Sequence, residues 1–426
     1  MKPLTATVVL RMLSLALLFS STTALGSAQD LFGYGSYCPS VSNACLTRMG
    51  LMESVYYNPA GLSGVESKVL AFSYQSAFFQ VSTTGLDGET PESPERSGGV
   101  AFGAAVPLPL PDPIGNRLAL GLGLYIPDTA LIKAQIPSPG TPWYPVIGNR
   151  SNTLGVHGAL AVRILDQLHL GVGVKVLAKL VGEIAVSPGE TGVLSSSIRD
   201  ELLTTASPIA GITWLPTESL RTSLVYRGEE RGSFSLPVRA DLGEEFPLEV
   251  PEINIEGLAQ IDPRQVAGSI SWVASDLHML ELSLQWRNWA AYPQPIVPAT
   301  PAAEAPPAPN FSDTWSPRIG GETGFEWSQG HRFLIRGGYG FEPSPAPQQN
   351  GETAHMDTHR HVLSAGLGWS YRGSGGSTVK AEMYGQEHLL VPRSHRFQGE
   401  VDGGSSTVET TGQIHLIGLG IQVGFP

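Results

Sequence analysis

The stretch RLALGLGLYIP (117–127) alternates with a period of two. Leu118, Leu120, Leu122, Leu124 and Ile126 fall on one face, and Arg117, Ala119, Gly121, Gly123 and Tyr125 on the other. That period is the signature of a β-strand, whose successive side chains point to opposite faces. The pattern recurs in LHLGVGVKVLAKL, with Leu168, Leu170, Val172, Val174 and Val176 set against His169, Gly171, Gly173, Lys175 and Lys179. It recurs again at the end, with Ile417, Leu419, Ile421, Val423 and Phe425 set against Gly418, Gly420, Gln422 and Gly424. A soluble sandwich also alternates, but it loads its outer face with charge. Here the second face is mostly Gly, Ala and Ser with scattered Arg and Lys, and charged residues make up only 15% of the chain. Small residues suit the inside of a closed barrel that holds more than its own side chains, with the aliphatic face turned to lipid. In hydrocarbon every backbone amide must be paired, so a strand-built membrane protein closes into a barrel.

The N-terminus agrees with export. Lys2 and Arg11 precede the apolar MLSLALLF, and Gly26 and Ala28 stand at the −3 and −1 positions of a signal-peptidase site. Residues 1–28 therefore read as a signal peptide, with the mature chain starting at Gln29. After it no apolar run reaches the ~18 residues of a spanning helix. Cys38 and Cys45 are the only cysteines, and in an oxidising compartment so close a pair reads as a small loop disulfide. The net charge of −12, without a Lys/Arg run, argues against nucleic acid as a partner.

About fourteen strands can be read, at 67–81, 98–107, 117–126, 151–164, 168–181, 205–215, 219–240, 264–273, 278–292, 315–327, 331–342, 360–371, 377–391 and 411–425. Short turns such as LDQ, LPTE, ASDL and SQG alternate with long Pro-rich loops, the asymmetry of outer-membrane barrels. Trp214, Tyr226, Trp272, Trp286, Trp289, Trp369 and Tyr371 lie near strand ends, where interface girdles are expected. Residues 67–426 form the expected transmembrane antiparallel β-barrel, and 29–66 a segment of the right size to plug it. Within that segment 43–57 reads as helical. It is followed by YYNPAGL, in which Asn58-Pro59 sets a turn, Ala60 and Gly61 permit close backbone approach, and Tyr56, Tyr57 and Leu62 offer apolar contact.

The stretch Asn58, Pro59, Ala60, Gly61, Leu62, placed after a signal peptide and before the first strand, resembles the hatch motif of the FadL-type outer-membrane transporters of long-chain fatty acids and aromatic hydrocarbons. FLIRGGYGFEPSPAP and HMDTHRH resemble that family's late strand and loop through Arg336, Gly338, Tyr339, Ser344, Pro345, Asp357 and Arg360. The resemblance implies a plugged fourteen-stranded barrel in the outer membrane of a Gram-negative bacterium. It further implies capture of hydrophobic molecules from outside and their sideways release through a gap at the third strand. Gly121, Gly123 and Pro127 are the gate candidates there, although Gly equally leaves lumen space. Lumen contacts for a ligand are expected from Tyr56, Tyr57, Lys175, Lys179 and Arg336; Arg163 and Arg287 also fall on the inward face. No residue matches a carboxylate partner, so fatty acid and hydrocarbon both stay open. Outer-membrane lipid and the hydrophobic ligand are the expected partners, and a single barrel the expected unit.

Other chemistry finds little support. His355, His359, His361 and Asp357 lie in a predicted loop that presets no metal geometry. Ser364 and His361 point to opposite faces and no nucleophile elbow occurs, so neither an enzyme, a metal nor a cofactor is expected. The alternatives are a general diffusion porin, which calls for a lumen rich in opposed charges and no plug, and an adhesin-like barrel working through its loops. Sparse inward charge favours the hydrophobic channel.

Overall fold

The computed structural model describes residues 28–84, 96–111, 115–128, 144–148, 154–188, 194–240, 253–295, 307–350, 353–398 and 405–426. Of the signal-peptide expectation, 1–27 lie outside the described residues. The strands are β1 Lys68–Thr84, β2 Ser97–Leu108, β3 Leu118–Pro127, β4 Gly155–Leu165, β5 Leu168–Pro188, β6 Leu194–Trp214, β7 Leu220–Arg227 and β8 Glu230–Ala240. They continue with β9 Ile253–Asp262, β10 Gln265–Ser275, β11 His278–Arg287, β12 Thr314–Ser328, β13 His331–Glu342, β14 Arg360–Arg372, β15 Thr378–Gln398 and β16 Ser405–Phe425.

All but β8 and β9 close one antiparallel ring, a fourteen-stranded barrel. Its seam joins the first strand to the last, from Lys68↔Phe425 to Thr84↔Glu409. The expected strand 219–240 divides at Gly228-Glu229. The first part pairs with β6 and β10 as a wall strand, and the second pairs in parallel with the far half of β5 and carries the hairpin to β9. Beyond Val176 the edge of β5 is no longer paired with β4, and β8 takes it.

The alternation sorts the two faces as the sequence implies. Val172 and Ile417 are each 60% exposed on the outside, while Ala119, Tyr125, Ala159 and Ala161 are buried inside. An aliphatic exterior of this kind is stable against hydrocarbon and not against water. Trp214, Tyr226, Trp272 and Tyr371 project outward, as do Trp315 and Trp327. Trp289 departs from the expected girdle: it is buried with Tyr292 and Phe311 beneath the loops, their ring centroids 6.1 Å and 6.1 Å from its own.

The N-terminal segment fills the ring. It comprises three short helices, α1 Ala28–Phe32, α2 Tyr37–Ser40 and α3 Ser54–Tyr57, and a 3₁₀ turn over Pro59–Gly64. The expected helix over 43–57 shrinks to its last four residues. Asn43 and Gly50 adopt positive φ (62° and 77°), which ends a right-handed helix at each point. The Glu53 side chain meanwhile turns back to accept the amides of Ser36, Tyr37 and Cys38 at 2.7, 2.8 and 2.9 Å. A disulfide between Cys38 and Cys45 closes the loop between α2 and that region.

Candidate functional site

The Asn58–Leu62 stretch seats the plug on the wall. The Asn58 amide nitrogen donates to the Leu46 carbonyl (2.7 Å) and to Thr213 Oγ1 on β6 (2.8 Å), while its oxygen accepts from the Ala60 amide (3.2 Å). This is an N-cap that also bridges plug and barrel. The wall makes room by lacking side chains: a Cβ at Gly171 would lie 2.3 Å from the Ala60 nitrogen, and one at Gly211 2.0 Å from the Asn58 oxygen. Gly121 and Gly123 do the same for Leu62 and Tyr34, at 2.7 and 2.6 Å. Two of the three gate candidates, Gly121 and Gly123, therefore give lumen space to the plug. β3 itself is paired without a register shift, to β2 through Pro127 and to β4 through Tyr125.

The inward face carries more charge than the sequence implied, and this corrects the expectation of a sparse lumen. Arg336 pairs with Glu322 (2.7 Å) and Glu382 (2.7 Å), and its guanidinium stacks 4.4 Å over the Tyr37 ring. Arg48 of the plug joins Glu322 at 3.0 Å. Arg287 and Arg318 both grip Glu342. Glu281 accepts from the Thr47 hydroxyl at 2.5 Å and from Ser269, and so holds plug to wall without a cation.

A second cluster gathers around Tyr56. Lys175 pairs with Glu230 (2.6 Å) and Asp262 (3.4 Å), and its ammonium lies 5.7 Å over the Tyr56 ring. Arg227 stacks 4.4 Å over the same ring. Asp30 of α1 stands 3.7 Å from Arg227 and 3.7 Å from Arg287, and accepts from Gln265 at 2.9 Å. Burial pushes the Tyr56 hydroxyl up to about 12, so it stays neutral. Tyr57 serves the plug, donating to Asn43 (2.7 Å) and accepting from the Tyr34 amide (2.8 Å).

Of the five expected lumen contacts, Tyr56 and Lys175 meet in one cluster, Tyr57 lies at its edge, and Arg336 belongs to the other network. The side chain of Lys179 lies outside the described residues. Arg227, Gln265 and Asp30 were missed. Arg227 was legible in principle, since it shares the inward face of LRTSLVYR with Arg221, Ser223 and Val225. Of the late histidines, His361 bonds Tyr339 (2.8 Å), His359 accepts from the Ser344 amide (2.9 Å), and His355 packs edge-on to Phe311. They serve three different neighbours.

Two cavities flank the Tyr56 cluster, of about 20 and 30 Å³. Each has room for about one or two waters, far short of the ~150 Å³ that holds a benzene-sized guest. A larger vestibule of about 440 Å³ opens beside the short turns, lined by Arg48, Glu66, Arg163, His169 and Arg221.

With a plug seated in a fourteen-stranded ring, the comparisons with known proteins are decisive. Residues 42–425 match the family model described as outer membrane protein transport protein (OMPP1/FadL/TodX). The chain belongs to the OMPP1/FadL/TodX family. Solved structures agree in fold at low identity. A Pseudomonas aeruginosa FadL homologue is 14% identical with a TM-score of 0.63, over 91% of this chain and 98% of that one. The Ralstonia pickettii toluene transporter TbuX is 14% identical with a TM-score of 0.53, over 93% and 100%. The P. putida toluene transporter TodX is 10% identical with a TM-score of 0.52, over 93% and 99%. Among curated proteins the sequence finds no match.

Proposed function

We propose that this FadL/TodX-family barrel is a passive outer-membrane channel that takes up hydrophobic small molecules, fatty acids or hydrocarbons. The observation that carries the reading is the plug: residues 29–65 fill the inside of the ring, which the N-terminus of a general diffusion pore would not do. Family membership supports the outer-membrane setting, and the toluene transporters among the structural relatives support apolar cargo. The charged lumen is the one feature that favours the porin alternative. Arg287 and Arg318 pair with Glu342, Arg336 pairs with Glu322 and Glu382, and Arg48 and Asp30 of the plug join them, so these charges brace a closed state rather than line a wet path. An apolar cargo gains by leaving sideways into lipid, at ~0.8 kcal/mol per CH₂ kept from water. The β3 wall, with Leu120 and Leu122 facing lipid outside and Gly121 and Gly123 against the plug inside, is where we place that exit. The signal peptide is cleaved before Gln29, and one barrel in outer-membrane lipid is the working unit.

The test is uptake of labelled hexadecanoate and toluene by cells lacking other hydrophobic channels, together with conductance in planar bilayers. Uptake of either probe with low ion conductance supports the channel. High conductance without uptake sinks it in favour of a porin. N-terminal sequencing of the membrane-inserted protein checks the cleavage point.

A further inference from the structure

We propose that the vestibule beside the short turns is a docking site for a periplasmic protein, entered by an acidic residue that carries basic residues on either side. The inference goes beyond the uptake reading, because it concerns a protein partner and not cargo.

Short turns face the periplasm in outer-membrane barrels. The vestibule, of about 440 Å³, opens among the β4–β5, β6–β7 and β10–β11 turns, and the plug lines it through Arg48, Ser63 and Glu66. That volume lies in the range of ~300–1,000 Å³ typical of ligand pockets, and a single small ion would leave most of it empty.

Its arginines are of two kinds. Arg48 and Arg332 are engaged, with Glu322 at 3.0 Å and Glu326 at 2.9 Å. Arg163 near the end of β4 and Arg221 at the start of β7 make no ion pair or hydrogen bond among the described residues, and the Nε atom of each is buried. Buried donors without an acceptor are costly unless something is there to use them. The carboxylates of the vestibule lie apart from these two. Asp166 and Asp276 are exposed on the turns, Glu66 is exposed where the plug joins β1, and none comes within ion-pair distance of Arg163 or Arg221. Register ties the site to the plug as well. Arg163 is the cross-strand partner of His169, whose Nδ1 meets the Ser63 hydroxyl at 2.7 Å.

Two recessed guanidiniums behind three exposed carboxylates select the guest. A lone anion is drawn by the first layer and repelled by the second, and a hydrocarbon finds charge on every side. A peptide tip with Asp or Glu between Lys or Arg satisfies both layers, the acid on the forked guanidiniums and the amines on the rim. Such a guest touches turns and plug together, so its binding pins the plug to the wall.

The test uses two capped peptides of one composition and opposite charge order, acetyl-GKEEKG-amide and acetyl-GEKKEG-amide, with inorganic phosphate as a third probe. The full-length processed protein in detergent is titrated with each up to ~10 mM, the weak range of a short peptide. Hydrogen exchange over 47–50 and 63–66 is followed in parallel. GKEEKG is expected to slow exchange in both segments, and GEKKEG is not. Arg163→Gln and Arg221→Gln should each weaken GKEEKG about tenfold, the scale of one charge-assisted contact. Heat-shifted migration on gels confirms that each variant is a folded barrel; if one is not, the comparison of the two peptides on the wild type decides alone. Equal effects of both peptides, an effect of phosphate alone, or no effect of any probe overturns the docking site. Each of these leaves the channel reading standing, since uptake of hexadecanoate and toluene tests that separately.

Discussion

Replacing Asn58 with Ala removes a side chain that is 2% exposed and makes three hydrogen bonds, one within the turn and two that leave it. Two of the three partners keep another bond. The Leu46 carbonyl still accepts from Ser223 (3.1 Å), and Thr213 still meets Ser223 (2.9 Å). The Ala60 amide loses its cap, a cost of about 1 kcal/mol. The two lost donor contacts add about 1 kcal/mol each. The sum, about 2–4 kcal/mol, falls on the plug and not on the ring, whose ladders do not involve Asn58. It corresponds to a shift of the plug's local opening by roughly thirty- to several-hundred-fold. Hydrogen exchange over 58–65 in the detergent-solubilised barrel reads that opening. Asn58→Asp should be at least as damaging, because it keeps the acceptor for Ala60 but sets a carboxylate oxygen against the Leu46 carbonyl. Unchanged exchange in Asn58→Ala, or a wild-type profile in Asn58→Asp, would refute the assignment of this side chain as the bridge between plug and wall.

Other substitutions probe the same seating. Gly171→Ala should unseat the 3₁₀ turn while the barrel still shows a heat shift on gels, because the new Cβ meets plug backbone at 2.3 Å and backbone cannot swing aside. Burial pushes the Glu53 carboxyl up to about 7, and nearby Glu382 adds to the rise. A carboxyl raised above its ordinary value of 4.5 stabilises the folded plug most at low pH, and that contribution is lost as pH rises through about 7. Exchange of the Ser36, Tyr37 and Cys38 amides, corrected for intrinsic rate, should therefore quicken from pH 5 to pH 8 by up to about a hundredfold, and Glu53→Gln should flatten the profile. Replacing Cys38 and Cys45 with Ser opens a seven-residue separation, a loss of about 2–3 kcal/mol confined to the plug; thermal unfolding of the ring should not move.

The ring was legible because a period of two survives any loop length: each strand announces its lipid face through its own aliphatics. The count of fourteen came out right partly because the expected strand 219–240 absorbed β8, which belongs to the off-ring hairpin. β9 is hard to read from its sequence, since Ile253 and Ile255 are followed by Glu256 and Gly257 and the alternation is short. What the sequence concealed was pairing. Arg287 on β11 finds Glu342 on β13, and Arg336 on β13 finds Glu382 on β15, each across an intervening strand and far apart along the chain. A lumen that reads as a scatter of lone charges is thus a set of closed networks. Trp289 was assigned to the girdle for a similar reason, since only the folded loops bring Tyr292 and Phe311 over it. The plug motif was legible by its turn chemistry, while its reach to Thr213 depends on where β6 runs.

These networks bear on how a sealed barrel conducts. The two cavities around Tyr56 hold a water or two each, so a hydrocarbon chain passes this point only if part of the plug moves. The plug is not held evenly. Its body is fixed by Asn58 on β6, by Thr47 on Glu281, by Arg48 on Glu322 and by backbone lying against bare glycines, contacts spread around much of the ring. Removing the body would leave Glu281 with Ser269 but without Thr47 and unmake several contacts at once, each worth about a kilocalorie or more. Helix α1 is held through Asp30, 3.7 Å from Arg227 and from Arg287, through Gln29 on His157 at 2.9 Å, and through the buried Phe32 ring, which packs edge-on to Phe79 and His388. Asp30 lines both cavities around Tyr56, so α1 borders each of them. Any movement of the plug that spares the Asn58 seat keeps its bridge to β6.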